Sequence, residues 1–209
     1  MMLSYQQSLI NSHSSGYLSI VVGPMFSGKS LHLISTCEKL SDIGFRSLII
    51  IPELETRNSD NVFSHSSGYR GVSKKVDVMK TSSLLDVDVQ LYDIIAVDEC
   101  QFFDQNLRGA IETWLILKKR IYLASLDGDF KQKIFGSITE MLPIADDFVK
   151  IKSKCSKCCE LSKHIGSHIY NDAIFTHRKD LTTMNIIVVG GTEMYEPLCR
   201  YHMAEVSIG

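Results

Sequence analysis

Gly23-Pro24-Met25-Phe26-Ser27-Gly28-Lys29-Ser30 stands between an apolar run at 17–22 and a stretch in which Leu33, Ile34, Cys37 and Leu40 recur at three- and four-residue intervals. The flanks predict a buried strand and a helix with one apolar face, joined by a glycine-rich turn. The turn is spelled G-x-x-x-x-G-K-[ST], as in a phosphate-binding loop. Such a loop aims successive backbone N–H groups at phosphate oxygens, and the positive end of the following helix adds to them. In that arrangement Lys29 reaches the outer phosphates and the Ser30 hydroxyl ligates Mg²⁺.

The downstream pattern extends this start into an α/β fold. Gly44 sits where a helix C-terminal glycine is expected, and 47–51 (Ser-Leu-Ile-Ile-Ile) reads as a second buried strand ended by Pro52. Strand, helix and strand in this length form a βαβ unit, hence a mostly parallel sheet flanked by helices. Residues 53–75 are polar and predict a long loop. A short strand is expected over 76–79 and a short helix over 82–89. Residues 92–99 form an apolar strand ending in Asp98-Glu99. Opposite a phosphate loop, Asp98 would hold Mg²⁺ and Glu99 would serve as a base. A helix is expected over 104–119, with Trp114 on its apolar stripe and therefore in the core. Strands at 120–125, 148–152 and 185–189 and a turn at 127–130 complete the reading.

The chain has 209 residues, 44% hydrophobic and 22% charged, with a net charge of −2. That suits one domain and a small appendage, and it argues against a polyanion-binding surface, so no nucleic-acid polymer is expected as partner. No stretch has the length of a membrane span, and residues 1–16 are polar without an apolar signal core. The expectation is a cytoplasmic protein with a flexible N-terminal tail.

Three of the six cysteines fall at 155, 158 and 159. Cys155-x-x-Cys158 and Cys199-x-x-His202 together supply three thiolates and an imidazole, a closed tetrahedral set suited to structural Zn²⁺. Two alternatives use the same region: a local site from Cys155, Cys158, His164 and His168, or Cys159 in place of Cys158. Cys37 reads as a core residue, and Cys100 takes no assigned role.

Taken together, the chain resembles the type II thymidine kinases of animal cells, many bacteria and large DNA viruses. The resemblance rests on Gly-Pro-Met-Phe-Ser-Gly-Lys-Ser at 23–30, Glu-Thr-Arg at 55–57, Asp-Glu-Cys-Gln-Phe-Phe at 98–103 and Leu-Asp-Gly-Asp-Phe at 126–130. It continues through Cys-x-x-Cys at 155–158, Phe-Thr-His-Arg at 175–178, Gly-Gly-Thr-Glu-Met-Tyr at 190–195 and Cys199-x-x-His202. It implies phosphoryl transfer from Mg²⁺-bound ATP to the 5′-hydroxyl of thymidine, and of deoxyuridine, giving the monophosphate and ADP. By position it implies that Glu99 accepts the hydroxyl proton and that Arg57 lies near the transferred phosphoryl. Met25, Leu126 and Phe130 would wall the thymine pocket, and Thr176 would face the base's methyl group. The segment ending at Tyr195 would form a lasso-like loop that reads the base edge. Feedback inhibition by thymidine triphosphate and a homotetramer are further implications.

Glu55 stands where family members commonly carry Asp, and the chain between Cys158 and Phe175 is about ten residues longer than in short members. A helicase-like ATPase would need two motor domains, and a GTP-driven switch would need an Asn-Lys-x-Asp motif that this chain lacks. The expected layout is a phosphate-loop kinase domain at 17–150, a zinc-binding lobe at 151–203 and a tail at 204–209.

Overall fold

The structure, a computed structural model, describes residues 15–53, 76–103, 105–180 and 190–208. The larger part of the chain runs β1 (Tyr17–Val22), α1 (Lys29–Asp42), β2 (Ser47–Pro52), β3 (Val76–Thr81), β4 (Ile94–Val97), α2 (Leu107–Ile116), β5 (Arg120–Ser125) and β6 (Asp147–Lys150). These six strands form one sheet in the order β3-β2-β4-β5-β1-β6, with every neighbouring pair parallel. The central strands are continuous apolar runs because both of their faces are covered. Ile94, Ile95, Ala96 and Val97 of β4 are all fully buried.

Successive residues then serve opposite layers. Leu48, Ile50, Ile95, Val97, Ile121 and Leu123 pack with Ala110, Ile111 and Trp114 of α2. Ile49, Ile51, Ile94, Ala96 and Ala124 pack with Leu33, Ile34 and Cys37 of α1 on the other face. Trp114 and Cys37 are core residues, as expected. Helix α1 closes at Gly44 (φ 105°), where the Gly44 N–H donates to Ser41 O and the Phe45 N–H to Leu40 O. Those two bonds satisfy carbonyls that the helix end would otherwise leave bare.

Two expectations change here. Residues 82–89 hold only a 3₁₀ turn, Leu84–Asp86, and not a helix. Leu84, Val87 and Val89 are all buried against the main core, and their three-then-two spacing fits no single helix face. Helix α2 is shorter than the 104–119 stripe, and Lys118 takes a left-handed conformation (φ 60°) just beyond it. The strand expected over 185–189 lies outside the described residues.

The remaining chain forms a small lobe: β7 (Ser153–Lys154), α3 (Ser156–Ile165), β8 (Asp172–Ala173), β9 (Phe175–Arg178), β10 (Tyr195–Leu198) and α4 (Arg200–Ile208). Strands β7 and β8 pair antiparallel, as do β9 and β10. Their core is Cys155, Cys158, Ala173, Leu198, Cys199 and Met203. The Ser156 hydroxyl donates to Glu196 (2.6 Å), whose other oxygen lies 3.2 Å from His177 Nδ1, tying α3 to the β9–β10 hairpin. Helix α3 takes up the first part of the stretch read as an insertion, through Ile165, and α4 continues through 204–208, expected as a tail, with Val206 packed on the lobe core. Among the described residues no helix is long and apolar enough to cross a membrane.

Leu123 is fully buried at the centre of the sheet. Leu123→Ala should cost about 2–5 kcal/mol, the transfer and cavity terms of a buried leucine. Urea unfolding followed through the single tryptophan, Trp114, would read this as a lowered midpoint. An unchanged midpoint would mean the core relaxes around the loss.

Candidate active site

A parallel sheet sends every strand's C-terminal end to the same edge, and three adjacent strands, β4, β5 and β1, carry the chemistry there. From β1 the chain enters the phosphate loop. Gly28 caps α1 at φ 88°, ψ 19°, a left-handed conformation that a side chain would strain. Phe26 takes the same region at φ 63°. The Lys29 ammonium donates to Pro24 O across the turn (2.8 Å) and is 5% exposed. Ser27 Oγ is buried without a hydrogen-bond partner among the described residues. A buried, unpartnered hydroxyl in a loop of this spelling suits an anion's oxygens.

From β4 the chain reaches Asp98, which is buried, and Glu99 at φ 50°, ψ 45°. A non-glycine residue in that region is a strained one, and such strain gathers at functional sites. Burial pushes the Lys29 ammonium below its ordinary range, while Glu99, Asp98 and Asp127 pull it back up. The cation and the acid pair are therefore electrostatic neighbours. From β5 come Leu126, Asp127 and Phe130, the last with the Arg178 guanidinium carbon 4.1 Å from its ring centroid. Lys150 at the end of β6 pairs with Asp127 at 2.5 Å.

The small lobe grips the phosphate loop at two points. The Met25 N–H donates to Thr176 Oγ1 of β9 (3.0 Å), and Ser153 Oγ of β7 donates to Phe26 O (3.0 Å). Thr176 thus meets the loop backbone directly, a contact that its expected place beside a base does not foretell. Met25, Leu126 and Phe130 are half-buried around the same edge, and Tyr195 is buried at the start of β10. Arg57 and Glu55 lie outside the described residues. Cys100, despite its place beside the acids, belongs to the core: its thiol donates to Val97 O, and burial pushes it well above its ordinary range.

In the lobe, Cys155, Cys158, Cys199 and His202 bring one ligand atom each to within 4.8 Å of one another. His202 Nδ1 lies 3.3, 3.5 and 3.4 Å from the sulfurs of Cys155, Cys158 and Cys199. Thiolate and imidazole ligands set tetrahedrally at usual metal bond lengths are about 3.5–3.8 Å apart, so this set can hold a metal ion. Both pairs sit at helix N-termini, those of α3 and α4, where the helix end favours thiolate. His202 Nε2 faces Glu205 at 3.9 Å, the outer carboxylate that often orients a ligating imidazole. His164, His168 and Cys159 stand outside the set.

Sequence reasoning assigned no role to Gln101, Ser125 or Ser153, although the first lies inside a quoted motif. Their meaning depends on which strands are neighbours, which no local pattern reveals.

A phosphate loop at the end of β1, an acid pair at the end of β4 and a cysteine–histidine lobe closing on the loop define a phosphate-loop nucleotide-binding protein. A sequence model described as thymidine kinase matches residues 16–203, and the chain belongs to that family. A thymidine kinase of Mycoplasma mobile is 32% identical over 195 residues, 92% of this chain and 89% of that protein. A thymidine kinase of Choristoneura fumiferana entomopoxvirus is 34% identical over 188 residues, 88% of this chain and 94% of that one. A weaker likeness in structure, TM-score 0.44 at 15% identity over 65% of this chain and 71% of the other, is to the flagellar accessory protein FlaH of Methanocaldococcus jannaschii.

Removing any metal from the lobe by a chelator should loosen β7 and β9, and with them both grips on the loop. Hydrogen exchange at the Met25 amide, protected by Thr176 in this structure, should then quicken. Unchanged exchange at Met25 after proven metal removal would show that the lobe holds its shape without it.

Proposed function

We propose that this chain is a thymidine kinase: it transfers the γ-phosphoryl group of ATP to the 5′-hydroxyl of thymidine, and of deoxyuridine, giving the monophosphate and ADP. The observation that carries the reading is that the phosphate loop after β1 and Asp98-Glu99 after β4 leave one edge of a parallel sheet, in a chain of this family. The nucleoside lies against Met25, Leu126 and Phe130, between the phosphate loop, the β5 end and the small lobe. Glu99 takes the proton from the 5′-hydroxyl as its oxygen bonds to the γ-phosphorus. The bond from that phosphorus to the β-bridging oxygen breaks, and its electron pair leaves with ADP. Lys29 and the loop amides neutralise the phosphate charge, and positioning supplies most of the acceleration. Ser30 and Asp98 would hold Mg²⁺, which would add to the neutralisation of the phosphate oxygens. Arg57 adds charge at the transferred group.

The lobe's metal is zinc, by the chemistry of its Cys₃His donor set. With four protein ligands it is structural, and it holds β7 and β9 against the phosphate loop. A homotetramer, inhibition by thymidine triphosphate and a cytoplasmic location belong to the same reading.

Purified protein with Mg²⁺ and ATP should turn over thymidine and deoxyuridine but not deoxycytidine or deoxyguanosine. Preference for another base would keep the kinase and relocate its specificity; no turnover from folded, metal-loaded protein would sink the proposal. Glu99→Gln should keep nucleoside binding while kcat falls about 10²–10⁴-fold, the usual worth of general-base help. Metal analysis should find about one zinc per chain in the wild type and none in Cys199→Ser. A folded, zinc-free wild type would overturn the metal assignment.

A further inference from the structure

Gln101 lies in the 3₁₀ turn Cys100–Phe102, directly after Glu99, and is 3% exposed. Its side-chain oxygen accepts two hydrogen bonds from the end of β5, one from the Leu126 N–H (3.1 Å) and one from Ser125 Oγ (3.0 Å). A backbone N–H can only donate, so the atom facing Leu126 must be the oxygen. The amide nitrogen is thereby turned the other way, where it donates to Glu99 Oε2. The ambiguity that normally attends an amide side chain is removed by its neighbours.

The same residue is pinned from outside. Gly136, at φ 72°, brings its backbone so close that a Cβ there would stand 2.7 Å from the Gln101 Cα. Phe135 meets Phe102 edge-on, with ring centroids 5.8 Å apart. The chain after the 127–130 turn therefore packs against the Gln101 backbone.

Resting on the assignment of Glu99 as the base, we infer that Gln101 is its positioning residue, with Ser125 and the Leu126 amide orienting it. The amide holds one carboxylate oxygen of Glu99 and so fixes the orientation of the carboxylate toward the nucleoside hydroxyl. The arrangement has a consequence for selectivity. Leu126 also walls the nucleoside pocket, so a base that displaces Leu126 displaces the clamp on Glu99. Nucleoside identity then registers in kcat as well as in KM.

The test uses the full chain with thymidine and Mg²⁺-ATP, measuring kcat and KM for wild type, Gln101→Ala, Gln101→Glu, Ser125→Ala and Glu99→Gln. Gln101→Ala should lower kcat about 10–100-fold, the scale of a small misplacement, with thymidine KM little changed. Gln101→Glu, of nearly unchanged size but without the donor amide, should lower kcat at least as far, again with KM little changed. Ser125→Ala should give a smaller loss, since the Leu126 amide still orients the side chain. Should Gln101→Ala fail to fold, Gln101→Glu and Ser125→Ala decide. An unchanged kcat, or losses confined to KM, would overturn the inference. An unimpaired Glu99→Gln would instead remove the base assignment and this inference with it. A collapsed Glu99→Gln beside unimpaired Gln101 variants would sink the inference alone.

Discussion

Parallel pairing is the constraint on which this molecule depends. Because β1, β4 and β5 run in one direction and lie side by side, the phosphate loop, the acid pair and the 126–130 turn leave the sheet at a single edge. Nothing in the spacing of residues 23–30, 98–99 and 125–126 along the chain would bring them together otherwise. The apolar continuity of β4 and β5 is thus as much a condition of the chemistry as Lys29 or Glu99: it buries the strands on both faces and fixes their order. Once the strands are set, electrostatics follows from proximity. A nearly buried ammonium among three carboxylates stays partnered although its surroundings penalise charge.

The small lobe completes that edge without belonging to the sheet. Its own core is slight, six buried residues of which three are cysteines. A group this small buries too little apolar surface to hold a fixed shape on that basis alone, so a metal clasp between α3 and α4 has a clear physical purpose. What the lobe delivers is two hydroxyls, from Thr176 and Ser153, to the backbone of the phosphate loop. The small lobe and the sheet edge are joined through those bonds.

Much of this was legible in the residues, for identifiable reasons. The strands at 17–22, 47–52 and 120–125 were readable because buried parallel strands are unbroken apolar runs. The phosphate loop was readable because its steric demands are local. The four residues that could hold a metal ion are readable as pairs, and in the structure Cys155, Cys158, Cys199 and His202 converge while His164, His168 and Cys159 stand outside. Helix α3 is hidden in the sequence because Cys158 draws attention as a ligand candidate, although Cys158, Leu161 and Ile165 share a helical spacing and Gly166 marks the helix end at φ 63°. The Leu84–Val87 interval imitated a helix where the chain only drops side chains into the core edge. Gln101 could not be read at all: its partners at 125 and 126 are distant in sequence and become neighbours only through the β4–β5 pairing.

The left-handed backbone of Glu99 has an evolutionary corollary. Holding a residue with a Cβ in that region costs roughly 1–2 kcal/mol, a penalty glycine does not feel. At this position the residue most comfortable for the fold and the residue able to take a proton are different. A search for hardier variants that scored only folding would drift toward glycine or asparagine here and discard the chemistry while improving its score. The conformation at 99 is therefore a place where selection for stability and retention of a carboxylate pull in opposite directions.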